Sequence, residues 1–145
     1  MEVEREQFIR VWDRVRGAGP EKESEESILR ELTAIAVREN RRLRALAGRT
    51  RRGGILTELA REREAELRGL QSALFLLTGD SVPERGIEEH PTGVLAGLRL
   101  CWAEERETAR LCRAAGKGGV DYARLRQSAE RRGEKLAALI AEAIQ

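Results

Sequence analysis

Six charged residues interrupt four otherwise apolar stripes of this sequence at corresponding places: Glu39, Arg63, Glu66, Glu104, Glu105 and Arg132. If the four stripes pack against one another, these side chains meet in one layer of the core. A buried charge without a partner costs several kcal/mol or more, so such a layer must hold ion pairs or a metal ion. Helical bundles build their metal sites in layers of this kind. The sequence therefore predicts one charged site in the middle of the molecule.

Other chemistry has few residues to work with, because the chain holds one histidine and two cysteines. We expect His90 in an exposed loop, where no nucleophile accompanies it. A metal site with several histidines is excluded. Cys101 and Cys112 share a helix face but lie about 16 Å apart at 1.5 Å per residue, too far for a disulfide within one chain. We expect both to be small buried hydrophobic residues and assign no catalytic residue.

Composition favours long solvated helices. Charged residues make up 36% of the chain, yet 27 Lys and Arg nearly balance 25 Asp and Glu. The longest apolar run, residues 73–77, is far short of the roughly 20 residues of a membrane span. The sequence begins with charged residues, where a signal peptide would be apolar. We expect a soluble cytoplasmic protein that does not enter a membrane.

A basic turn at Arg49, Arg51 and Arg52 could contact an anion or a nucleic-acid backbone. Acidic residues adjoin this turn, and no aromatic side chains alternate with the arginines as stacking platforms. The aromatic residues instead lie on predicted core stripes: Phe8, Trp12, Phe75, Trp102 and Tyr122. The arginines are better interpreted as a solvated face, and we do not expect nucleic-acid binding.

The elements that position these residues are helices. Glycines and prolines divide the chain into segments with helical periodicity, and no segment shows the alternation typical of β-strands. Residues 1–19 are predicted to hold a short accessory helix, with Phe8, Trp12 and Val15 on one face. Four longer helices follow, at about 21–47, 55–78, 94–115 and from about 120 onward, with residues 80–91 as a crossover loop. The sequence thus predicts an all-α fold, a single domain with a four-helix bundle over residues 20–145.

Two segments carry a resemblance to a known family. Residues 59–66 read Leu-Ala-Arg-Glu-Arg-Glu-Ala-Glu, lead to Leu70, and continue into a leucine-rich run that closes on Thr78-Gly79; residues 128–136 follow the same pattern. These segments resemble the second and fourth helices of the ferritin-like, rubrerythrin-type diiron-carboxylate proteins. The resemblance implies a bundle with a crossover between its second and third helices. It also implies six iron ligands: one Glu from each of the first and third helices, and a Glu-x-x-His pair from each of the others.

Most of these ligands are absent here. The six family positions fall on Ala36, Arg63, Glu66, Glu104, Ala129 and Arg132, and only Glu104 keeps the family residue. Arginine is always charged, cannot bind a metal and pairs bidentately with carboxylates. We therefore interpret the site as an ion-pair network of Arg63, Glu66, Glu104 and Arg132, joined by Glu39, in place of iron. No cofactor is expected on this interpretation.

Two other interpretations stay open. With a register shifted by one turn, Glu39, Glu66, Glu104 and Glu105, with Glu62 nearby, could form a carboxylate site for iron or another divalent metal. Alternatively, charged residues beside a stripe often lie on its solvated edge, an objection that applies most to Glu39 and Glu105.

For function, the sequence favours a non-catalytic scaffold or interaction protein over an enzyme. A homodimer through the N-terminal helix or an outer apolar face is the assembly that these surfaces would permit. The alternative is a metal-binding ferritin-like protein or oxidoreductase with a rearranged carboxylate site.

Overall fold

The computed structural model of the chain describes residues 24–81 and 93–145. It contains four helices: α1 (Glu25–Ala47), α2 (Gly53–Thr78), α3 (Val94–Ala115) and α4 (Tyr122–Ala143). The described residues contain no strand, so the prediction of an all-α, four-helix fold is confirmed. Helix α1 begins about four residues later than expected. The predicted accessory helix and His90 lie outside the described residues.

Local chemistry sets several of the helix ends. The Ser24 side chain accepts a hydrogen bond from the Ser27 backbone N–H at 3.1 Å and caps α1, and Asp121 caps α4 by accepting from the Arg124 N–H at 3.1 Å. Helix α2 is followed by the cap residue Gly79, which has φ of 78° and donates its N–H to the Phe75 carbonyl. Glycine adopts this left-handed conformation without steric cost. Asp121 and Gly79 thus set helix boundaries where the sequence predicts them, whereas the predicted start of α1 lies before its cap, Ser24.

The helices pack as two hairpins. Helix α1 packs against α2, α3 packs against α4, and the hairpins meet mainly along α1 and α3. At one end of the bundle, the Glu25 carboxylate at the start of α1 accepts hydrogen bonds from the Gly119 N–H and the Tyr122 hydroxyl, both at 2.8 Å. At the other end, Arg52 at the start of α2 pairs with Glu142 near the end of α4. Helices α1 and α4 therefore run in the same direction.

Helices α2 and α3 are also parallel to each other. The end of α2 lies beside the start of α1, where Asp80 approaches Arg30 at 3.7 Å. The start of α3 lies at the opposite end, where Gly97 packs against Leu46 near the end of α1. The segment between α2 and α3 therefore connects opposite ends of the bundle, unlike the short turns of the two hairpins.

The core consists of two apolar clusters. The first is built around Ile28, Leu32, Leu70, Leu74 and Tyr122. The second is built around Leu43, Leu56, Leu98, Cys101 and Leu136. The buried charged residues and Thr108 lie between the contributions of their helices to these two clusters: Glu39 on α1, Arg63 on α2, Glu105 and Thr108 on α3, and Arg132 on α4. Thr33, which is also buried, lies among the residues of the first cluster and donates its hydroxyl to the Leu29 carbonyl at 2.6 Å. A charged layer therefore crosses the middle of the core, as the interrupted stripes predicted.

One aromatic residue departs from its predicted place. Phe75 was expected in the core but is 53% exposed, and Leu76 and Leu77 beside it are also exposed. Leu70 and Leu74 fill the inward face of α2 at this end, and positions 75 and 76 follow Leu74 at steps of about 100°, so they point away from that face. Tyr122 and both cysteines are buried as expected. None of the described helices is long and apolar enough to cross a membrane.

Candidate functional site

Arg63 connects α2 to two other helices from inside the core. Its side chain is only 1% exposed. Its Nε donates to Glu39 Oε1 on α1 at 3.0 Å, its Nη1 to Glu66 Oε1 at 3.1 Å, and its Nη2 to the Thr108 hydroxyl on α3 at 3.0 Å. Thr108 in turn donates its hydroxyl to the Glu104 carbonyl at 2.8 Å. All three nitrogens of the guanidinium therefore have partners.

Arg132 performs the same task from α4 and is fully buried. Its Nη1 and Nη2 donate to the two oxygens of Glu66 at 2.9 and 2.8 Å, a bidentate pair. Its Nε donates to Glu105 Oε2 at 2.8 Å, and Nη1 also reaches Glu62 at 3.4 Å. Arg132 thus joins α4 to both α2 and α3.

Two carboxylates bridge the two guanidiniums. Glu66 Oε1 accepts from Arg63 at 3.1 Å and from Arg132 at 2.8 Å. Glu105 Oε2 accepts from Arg132 at 2.8 Å and lies 3.5 Å from Arg63 Nε. We use the name charged layer for the set that these contacts define: Glu39, Arg63, Glu66, Glu105, Thr108 and Arg132.

The environment shifts the protonation equilibria of the layer in different directions. Burial opposes the charge on Arg63 and Arg132, but the surrounding carboxylates outweigh it and raise the pKa of both arginines, so both stay charged. Burial raises the pKa of Glu39 well above its usual range. For Glu105, burial acts in the same direction, but the attraction of Arg63 and a hydrogen bond to Glu39 bring its pKa below the usual range.

The structure brings Arg63, Glu66 and Arg132 together, but it places Glu104 elsewhere. Glu104 pairs with Arg38 at 3.2 Å and with Arg42, outside the layer. The prediction of Glu104 in the network is therefore corrected, because the next residue along the helix, Glu105, points inward instead. Adjacent helical positions differ by about 100° in direction, so only one of the two can face the bundle axis.

The solvated-edge objection to Glu39 and Glu105 is wrong. Their exposed fractions are 0% and 1%, and both contact Arg63 within the layer. Sequence reasoning also assigned no role to Thr108, although it is a polar residue on an apolar stripe three positions after Glu105. That spacing places both side chains on one face of α3 and could have identified it.

The residues of the layer do not fit a pair of iron ions. Both oxygens of Glu66 and one of Glu105 accept N–H groups from the arginines, and a guanidinium cannot replace a ligand. Within residues 24–81 and 93–145, no three side chains of His, Cys, Asp or Glu are arranged to hold a metal ion. The layer as folded is an ion-pair network rather than a set of open ligands.

The cysteines do not supply a nucleophile near the layer. Burial raises the pKa of the Cys112 thiol to about 11 and raises that of Cys101 further. Both thiols are therefore protonated at neutral pH, and a thiolate is the reactive form of cysteine.

Comparisons of the chain with family models, with curated proteins and with solved structures found no match.

Proposed function

We propose that the protein is a ferritin-like helical bundle that has lost its diiron site to arginine–glutamate ion pairs and acts as a non-catalytic scaffold or interaction protein. One observation carries the proposal: two guanidiniums, Arg63 and Arg132, lie in the middle of the bundle and are bridged by the same two carboxylates, Glu66 and Glu105. Two cations bridged by carboxylates is the charge pattern of a diiron centre, with arginines in place of the metals.

The helix directions support this proposal. Ferritin-like bundles have one long connection among otherwise short ones. Here α2 and α3 are joined from opposite ends of the bundle, and the other two connections are short.

The residues at the carried-over ligand positions support it as well. Arg63, Glu66 and Arg132 belong to the charged layer, while Ala36 and Ala129 are fully buried. Five of the six positions are thus in the layer or in the adjoining core. The sixth, Glu104, points to the edge of the bundle.

The chemistry of the layer suits a structural role. Arginine keeps its charge at every physiological pH, and the carboxylate oxygens that bridge the arginines have no open coordination position. Buried ion pairs add little net stability compared with an apolar core, but breaking one is costly. Such a network favours one alignment of the four helices over its alternatives. The homodimer expected from the sequence stays a prediction.

Metal retention tests the proposal. The purified protein is incubated with Fe(II), Mn(II) or Zn(II), desalted and submitted to elemental analysis. We expect far less than one metal ion per chain, because the bridging oxygens are engaged by arginine. A double variant, Arg63→Glu with Arg132→His, restores ligand chemistry at two family positions and is expected to retain more metal.

The control is Arg131→His, which adds an imidazole at an exposed position on the same helix, where Arg131 pairs with Glu62. Metal bound equally by this control and by the double variant would reflect surface histidine alone. Near-stoichiometric metal in the unaltered protein would refute the proposal.

That outcome would favour the alternative, a metal-binding protein or oxidoreductase with a rearranged carboxylate site. One observation favours this alternative. Glu39 Oε2 and Glu105 Oε1 are buried in the layer and accept no hydrogen bond from an N–H or hydroxyl donor, so both oxygens are potential metal ligands.

A further inference from the structure

The charged layer has more acidic groups than basic ones. Three carboxyl groups, Glu39, Glu66 and Glu105, face two guanidiniums, Arg63 and Arg132. If all five were ionised, the layer would carry one uncompensated negative charge. Glu66 is 15% exposed, but the other four side chains are at most 1% exposed. An uncompensated charge at this depth is strongly unfavourable, which favours one more positive charge in the layer.

Two carboxyl groups of the layer each have an oxygen that could carry a proton. Glu39 Oε2 and Glu105 Oε1 are the two buried side-chain atoms of the described residues that accept no donor. The other oxygens of these two groups approach the same atom, Arg63 Nε, at 3.0 and 3.5 Å. The two carboxyl groups are therefore neighbours, and each has one buried oxygen without a donor. Two ionised carboxylates side by side at this depth repel each other, which favours a proton on one of them.

Contacts identify Glu39 as the group that holds it. Glu105 accepts a hydrogen bond from Arg132 at 2.8 Å and also lies near Arg63, so two guanidiniums stabilise its charge. Among the described residues, Glu39 contacts one guanidinium, that of Arg63, and Arg132 acts on it from a greater distance. The opposite pKa shifts of the two residues, upward for Glu39 and downward for Glu105, agree with this difference.

We infer that Glu39 is a neutral carboxylic acid in the folded protein and donates a hydrogen bond to Glu105, so that the charged layer binds one proton and has no net charge. The groups that act on Glu39 come from the three other helices: Arg63 on α2, Cys101 and Glu105 on α3, and Arg132 on α4. This inference does not depend on a ferritin-like ancestry.

Infrared spectroscopy of the folded protein tests it directly. We expect the carbonyl stretch of a protonated carboxylic acid at neutral pH, where solvated glutamates are ionised. The band should be absent in the Glu39→Gln variant. It should persist in Glu104→Gln, which changes the neighbour of Glu105 that lies outside the layer. Spectra are recorded in the presence of a chelator, so a metal ion cannot take the place of the proton.

The absence of the band from the unaltered protein would overturn the inference without the need for any variant to fold. Its persistence in Glu39→Gln would do the same, because the proton would then belong to another group. The infrared measurement is made with a chelator and the retention test with added metal. Metal binding in the retention test would therefore refute the proposed function but would not affect the assignment of the proton to Glu39.

The pH dependence of unfolding gives a second test. Because the folded pKa of Glu39 is raised, its contribution to stability is fully present below the unfolded pKa and is lost as pH rises through the folded value. Uptake of one proton changes the unfolding equilibrium constant by up to about tenfold per pH unit in that interval. Urea titrations should therefore show the unaltered protein weakening with rising pH relative to Glu39→Gln. Parallel profiles for the two proteins would contradict the assignment.

The variants should also differ in severity. Glu39→Gln replaces a neutral donor with a neutral amide donor of the same shape, whereas Glu105→Gln removes a charge that two guanidiniums contact. We expect the urea midpoint to fall much further for Glu105→Gln. An equal or larger loss for Glu39→Gln would contradict a neutral Glu39.

Discussion

At the scale of single residues, the choice of arginine rather than lysine explains how one layer can connect four helices. A guanidinium presents five N–H donors in a planar fork, and lysine presents a single ammonium. Arg132 uses this fork to hold both oxygens of Glu66 while its Nε reaches Glu105. A lysine at this position could not satisfy the same acceptors, and the layer would be left with buried unpaired oxygens.

The first prediction concerns the removal of one arginine. Arg132→Ala leaves Glu66 and Glu105 buried without their main partner, which is expected to cost about 3 to 5 kcal/mol of unfolding free energy. Urea denaturation measures the loss. The control is Arg131→Ala on the same helix, where an exposed pair with Glu62 is worth under about 1 kcal/mol. Similar losses of unfolding free energy for the two variants would mean that water solvates the charges of the layer as it solvates those of the exposed pair.

At the scale of helices, close approach between α1 and α3 joins the two hairpins. Gly97 lies where a Cβ atom would come within 2.8 Å of Leu46 Cδ2. Leu46 is 2% exposed and has little room to move. The absence of a side chain at position 97 therefore allows the end of α1 and the start of α3 to pack closely.

A pair of glycine substitutions tests this contact. Alanine normally stabilises a helix interior by about 1 kcal/mol relative to glycine. We expect that gain for Gly69→Ala in α2, where a new Cβ meets nothing within 4 Å. Gly97→Ala should instead lose about 1 to 3 kcal/mol by overpacking against Leu46. Thermal or urea unfolding of both variants measures the difference, and a gain at both sites would show that α1 and α3 lie further apart.

At the scale of the whole molecule, glutamates whose pKa values shift in opposite directions predict that stability has a maximum at an intermediate pH. Arginine partners outweigh burial and hold the pKa of Glu105 and Glu62 below the usual range. The stability that these two residues contribute is present above their unfolded pKa and is lost as pH falls through the folded values. Glu39 acts in the opposite sense on the alkaline side.

The urea midpoint is therefore expected to pass through a maximum as pH increases, and Glu39→Gln should remove the decline below about pH 8.5, the ordinary pKa of a thiol. Above that pH the raised pKa values of Cys101 and Cys112 weaken both proteins alike. A profile that rises steadily to alkaline pH in the unaltered protein would contradict this expectation. High salt should alter the profile little, because the layer is buried and is screened much less than surface pairs such as Arg52 with Glu142.

Much of the fold could be predicted because helices are encoded locally. Apolar residues at three- and four-residue steps identified all four helices, and capping residues such as Asp121 and Gly79 marked their ends. The same periodicity located the charged layer, since Arg63 and Arg132 stand on apolar faces. These features depend on residues within a few positions of one another, so the sequence alone contains them.

The members of the layer were decided by tertiary structure. An apolar stripe is broad enough to leave two adjacent helical positions equivalent, so only the packing of α3 against α4 directs Glu105 inward and leaves Glu104 to Arg38. The burial of Glu39 depends likewise on the three helices around it. Its proton depends on a balance of charge that exists only once Arg63, Glu105 and Arg132 are brought together from three helices. Charge balance and burial are properties of the assembled core, and periodicity along one chain segment does not contain them.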